Sequence, residues 1–132
     1  MAYESTQLKI GTLKAAADLS AYQYHLVKMS AAGTVNICSA INDKPIGVLV
    51  NKPSAVGAAC EIVAVGITKI MCGGTVAYGN TVGTDTSSHM VAKTPGTDRN
   101  SYGIGQVLVG ADNNEYATVA VNCISAPRLS AS

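Results

Sequence analysis

The chain contains no tryptophan and no phenylalanine in 132 residues. Its core must therefore be built from Val, Ile, Leu, Ala and Met with some of the six tyrosines, residues suited to thin sheets and tight sandwiches. The lack of tryptophan also disfavours a sugar-binding role, because sugar-stacking platforms favour that ring. Charge is scarce as well. Asp, Glu, Lys and Arg make up 13% of the residues, about half the usual share, so much of the surface is Ser, Thr, Asn, Gly, Ala or apolar. Such a surface points to a component partly covered by partners, since large bare apolar patches are unusual on monomers. The net charge is +1 and the basic residues are scattered, which excludes the basic stripe that nucleic-acid phosphates require. No apolar run approaches the length of a membrane span, and the opening MAYESTQLKIG lacks the basic and apolar regions of a signal peptide. Synthesis in the cytosol, with no membrane partner, is expected.

Reactive groups are just as sparse. His25 and His89 occupy matching places in two hairpin-like stretches, but no acidic residue or third ligand recurs beside both. They read as surface or edge histidines. The carboxylates Asp18, Asp43, Asp85, Asp98, Asp112, Glu4, Glu61 and Glu115 fall mostly in expected turns, where Asp bonds nearby backbone amides. The Gly-Thr-Asp triplets at 83–85 and 96–98 lack the alternating oxygen ligands of a calcium loop. Gly103-x-Gly105 meets Leu108 where the dinucleotide fingerprint needs a third glycine. Ser39, Ser54 and Ser88 stand in no nucleophile elbow. Cys38, Cys60, Cys72 and Cys123 form no Cys-x-x-Cys pair. They read as buried reduced thiols, with a cross-strand disulfide as the alternative. No catalytic residue, metal or cofactor is expected.

What the sequence does contain is a pattern that occurs twice. Residues 46–65 read IGVLVNKPSAVGAACEIVAV and residues 104–121 read IGQVLVGADNNEYATVAV. Each is an apolar run opened by Ile-Gly, then a polar turn, then a second alternating run. Ahead of them lie hairpin-like stretches at 24–38, turning at Ala32-Gly33, and at 80–94. Strands are predicted at 46–50, near 80–84, 89–94, 102–109 and 115–123. Residues 60–72 are nearly all apolar and rich in β-branched side chains, and predict two strands or one strand bent at Gly66. A single helical turn after Asp18 or Ser20 is predicted within 15–23. The expected fold is all-β: a compact sandwich or small barrel of about eight short strands in two related halves. Its organisation is an extended N-terminal arm over 1–14, one β-domain over 15–126 and an irregular tail over 127–132.

Several stretches resemble a family of small decoration, or cement, proteins encoded among the head genes of tailed phages. They are Ala32-Gly33-Thr34-Val35, Pro45-Ile46-Gly47-Val48-Leu49, Val65-Gly66-Ile67-Thr68-Lys69, Gly73-Gly74 and Gly105-Gln106-Val107-Leu108, spread over residues 18–125. Asn80 departs from the pattern, where the family often carries Asp. The resemblance implies a non-enzymatic protein on the outer surface of the virion, made in the host cytoplasm. It implies the major capsid protein as partner and a homo-oligomer, with a trimer favoured. The arm then becomes the expected capsid interface, through Tyr3, Glu4, Gln7, Leu8, Lys9, Ile10 and Leu13, by adding a strand to a shell edge. Two alternatives stand beside it: a receptor-binding or fibre knob module, and a small trimeric β-rich nucleotide hydrolase. The hydrolase needs clustered Asp and an Arg-Ser-Gly loop, which neither Arg99 nor Arg128 offers.

Overall fold

A computed structural model describes residues 2–130. Met1, at the head of the expected arm, and Ala131 and Ser132, at the end of the expected tail, lie outside the described residues. The strands are β1 (Gln7–Ile10), β2 (Lys14–Ala15), β3 (Leu26–Ala31), β4 (Thr34–Ile37), β5 (Gly47–Leu49), β6 (Ile62–Met71), β7 (Thr81–Thr84), β8 (Met90–Ala92), β9 (Gly105–Val109) and β10 (Tyr116–Asn122). Among the described residues there is no helix. The segment expected to hold a helical turn is instead tied down by its own side chains and by neighbours. The Asp18 carboxylate accepts from the amide and hydroxyl of Ser20, an arrangement that competes with helix formation. The amides of Ala15, Ala16 and Leu19 donate to Ala58, Val35 and Pro53 rather than locally.

The strands form one open sheet in the order β2-β4-β3-β5-β6-β10-β9-β7-β8, with β1 added on β6. It is not a closed barrel, and it has ten strands rather than about eight. The two halves of the sequence pattern reappear as two runs of identical order, β4-β3-β5-β6 and β8-β7-β9-β10. Equivalent glycines sit at equivalent joints: Gly47 pairs with Val27 of β3, and Gly105 with Val82 of β7. A Cβ on Gly47 would run into Ile62 and the Val63 carbonyl, and one on Gly105 into the Ala120 carbonyl. The Ile-Gly motif thus lets two strands approach closely.

β6 joins the halves. Gln7 and Val121 both face Gly66, so β1 and β10 lie along opposite edges of β6. Lys9 and Val48 both face Val63, so β5 lies along the same edge as β10 and follows it. The handover occurs where the β1 register skips Ala64 and where Gly66 adopts φ 138°. An extra residue bends and twists a strand, so this bulge lets one strand serve both halves.

Adjacent residues of β3, β5 and β6 are divided between two cores. Leu26, Val48 and Val63 pack into a large cluster with Ile70, Val82, Met90, Ile104, Val107 and Val119. Val27, Leu49 and Ile62 pack on the other face with Ala15, Leu19, Val35 and Cys60. Burial on both faces explains why β5 and the start of β6 read as continuous apolar runs rather than as alternation. All four cysteines are buried and unpaired. Burial pushes the Cys38 and Cys123 thiols up to about 12 and Cys72 to about 11. The tail is irregular but fastened: Leu129 is buried, its amide donates to Ser101, and its carbonyl accepts from Gly96.

Replacing Gly105 by Ala is expected to cost more than ~2 kcal/mol, because the intruding atom is a backbone carbonyl and cannot yield. The same change at Gly74, where the added Cβ meets open space, is expected to stay within about 0.5 kcal/mol. Urea denaturation of the two variants checks the contrast.

Candidate interaction surface

The N-terminal segment lies on the β6 edge. The amide of Ser5 donates to Ile67 O (3.1 Å), and the amide of Ile67 donates to Thr6 O (3.0 Å). Gln7 Nε2 also reaches Ile67 O at 3.0 Å, and the Tyr3 amide donates to Thr118 Oγ1 at 2.8 Å. Lys9 pairs with Glu61 at 2.6 Å, and the Tyr24 hydroxyl donates to Glu4 at 3.3 Å. The segment expected as a free arm is therefore extended but not free: its central residues are an edge strand of the sheet. The reason is available backbone. The β6 edge opposite β10 needs partners for its amides and carbonyls, and the arm supplies them.

Of the seven residues expected at an interface, Tyr3, Glu4, Gln7 and Lys9 make specific bonds to the sheet. Ile10 pairs with Ile62, and Leu13 packs against the smaller core. Leu8 turns outward and is 60% exposed. None of residues 2–10 is buried, so the segment is held by polar contacts along one edge. Among the described residues no strand pairs with its outer edge, and such an edge is a template for another strand.

Beside the arm lies an aromatic patch that the sequence reading missed. The Tyr24 and Tyr116 rings meet edge to face at 5.3 Å, and Lys69 Nζ sits 4.7 Å from the Tyr24 ring centre. Tyr3 and Tyr116 are both substantially exposed. The alternation of β10 already places Tyr116 on the outward face, but its neighbours come from β6 and the segment before β3. Pairwise contacts over such separations leave no local signal.

A second cluster corrects the reading of the histidines. His25 and His89 are in contact, ring centres 4.8 Å apart, and His25 is buried. Asp85 does stand beside one of them, 3.8 Å from His89 Nδ1. Ser88 Oγ donates to the Ser87 carbonyl and so accepts from His25 Nδ1 at 2.8 Å. Ser88 is itself buried, as is His25. Among the described residues no group of three or more His, Cys, Asp and Glu is arranged to hold a metal ion.

A groove of about 1010 Å³ has a lining that includes Lys28, Met29, Ile37, Asp43, Lys44 and Ile124. Burial pushes the Asp43 carboxyl up, yet bonds from the Ser39 amide, Lys28 and the Ala40 amide outweigh it and hold the group below its usual range. Its charge serves to close the 39–43 loop.

Burial, and next the adjacent His89, lower the His25 pKa to about 4, against a smaller opposing pull from Asp85 and the Ser87 carbonyl. An unfolded histidine titrates near 6.5 and takes up its proton first, so stability is full above about pH 6.5 and falls as pH drops toward about 4. The loss is expected to be on the order of 3 kcal/mol. Urea denaturation across this range checks it, and His25→Gln is expected to flatten the decline.

No protein-family model matches the chain, and no curated protein matches it in sequence. Its fold does match solved structures. The head fibre gp8.5 N base of bacteriophage phi29 superposes with a TM-score of 0.66 at 15% identity, over 89% of this chain and 96% of that one. A chain from the capsid of Myoviridae phage XM1 superposes with a TM-score of 0.65 at 11% identity, over 89% of this chain and 84% of that one. The ten-stranded, two-half sheet is therefore a fold shared with a phage head-fibre base and with a phage capsid chain.

Proposed function

We propose that this chain is a structural, non-enzymatic protein of a tailed-phage head. It decorates the outer surface of the shell and braces junctions between copies of the major capsid protein. The observation that carries the reading is the fold match over 89% of the chain to both a head-fibre base and a phage capsid chain. The chemistry agrees with it: among the described residues the serine–histidine contact, Ser88 with His25, is buried.

In this reading β1 lies toward the shell, its outer edge accepting or donating a strand, with Tyr3, Leu8 and Tyr116 supplying exposed apolar contact. A standard interface buries about 1,600 Å², and repetition over a closed lattice supplies avidity. The protein acts as a homo-oligomer, with a trimer favoured, made in the host cytoplasm before it joins the virion. A second reading, a base that anchors a fibre to the head, is favoured by the likeness to the phi29 fibre base. Both readings require attachment to the head.

Purified protein added to undecorated heads is expected to co-sediment with them at a fixed stoichiometry and to raise the temperature at which DNA is released. Binding to host cells with no binding to heads would contradict the reading. Deleting residues 2–10, none of them buried, is expected to leave the β-body folded by circular dichroism while head occupancy falls. Wild-type occupancy of that variant would remove β1 from the interface.

A further inference from the structure

The seat that β6 offers to the N-terminal strand is specific, and the strand in it is weakly held. Gly66 has no Cβ where the Thr6 carbonyl and the Gln7 backbone press closest, and its φ of 138° is one that L side chains rarely adopt. Side chains are matched too: Glu61 receives Lys9, Tyr24 donates to Glu4, and the Ile67 carbonyl receives Gln7. The β6 bulge at Ala64 falls opposite the Leu8/Lys9 step, which fixes the register. Yet no side chain of residues 2–10 is buried, so the strand can leave without opening either core. Segments of few buried contacts open at the low end of the stability range.

We propose that the β6 seat accepts the N-terminal strand of a second copy of this chain, so that neighbouring copies exchange β1. The exchanged and unexchanged forms make the same contacts, which is what makes strand swapping a low-cost route to an oligomer. A second copy is the occupant that reproduces every match of the seat: the carboxylate, the amide, the ammonium and the register. The hinge is Gly11 and Thr12, both exposed, with open space around Gly11, while Leu13 stays packed on the smaller core. Two residues reach about 7 Å, so exchange takes place between copies held side by side. The outer edge of β1 stays open in either form. The inference is therefore independent of the shell-binding reading, and its test uses no heads.

The test mixes two single variants of the full chain, Lys9→Cys and Glu61→Cys. Both side chains are largely exposed, at 41% and 46%, and the native cysteines are buried. The proteins are mixed at high concentration, incubated, and oxidised mildly, with one variant isotopically labelled. A 9–61 heterodisulfide between labelled and unlabelled chains is the expected product, identified by mass. A parallel mixture of Lys9→Cys with Val56→Cys, exposed elsewhere at 76%, is expected to give much less. The proposal is overturned if the first mixture yields no 9–61 heterodisulfide while a single chain carrying both Lys9→Cys and Glu61→Cys closes an internal disulfide. It is overturned equally if the control mixture cross-links to the same extent.

Discussion

β6 bonds to three strands at once, and the rest of the structure depends on how it manages this. One edge carries β10 and then β5, while the other carries β1. A regular strand keeps one twist along its length and would carry a single neighbour per edge. The bulge at Ala64 and the positive φ of Gly66 change its course between the two neighbours. Each repeated half then closes with its own inner strand, β6 or β10, and the pairing of these two makes one sheet out of a duplicated unit. The two cores meet across β6 as well, since Ile62 and Val63 project into different ones.

That arrangement leaves the molecule with little chemistry and much surface. The thiols are buried and strongly disfavoured as thiolates, Asp43 closes a loop, and Ser88 is engaged on both sides. Leu8 stands exposed on β1, and Tyr3 and Tyr116 are exposed beside the N-terminal segment. Edges of this kind are normally blunted or covered. In the proposed readings a head lattice or a neighbouring copy provides such a cover, and the low charge of the chain reduces the desolvation cost of contact.

The duplicated unit was legible because glycine at a close joint is a local and costly requirement. Ile46-Gly47 and Ile104-Gly105 announce it in the sequence, and the shared strand order of the halves matches. The bend at Gly66 was legible for the same reason. The N-terminal strand was not. An edge strand with no buried side chain leaves only the weak alternation of Leu8 and Ile10, so Gln7–Ile10 reads like a loose arm. The turn at 18–20 misled because Asp18 is a fair helix cap, while its carboxylate bonds Ser20 in a tight turn instead. His25 and His89 meet only through packing of the β7–β8 turn against the start of β3, where the Leu26 amide donates to Ser88. A contact made by tertiary packing cannot be read from residue type.

The central proposal is that the N-terminal edge of this β-body is its working surface on a phage head. The most direct measurement is a cryo-electron microscopy map of the assembled particle at a resolution that separates strands. The account predicts density for the two-half sheet on the outside of the shell, over junctions between capsid subunits, with β1 facing the shell or an adjacent copy. Density that is absent from the head, or a sheet docked by its opposite side with β1 facing solvent, would contradict it.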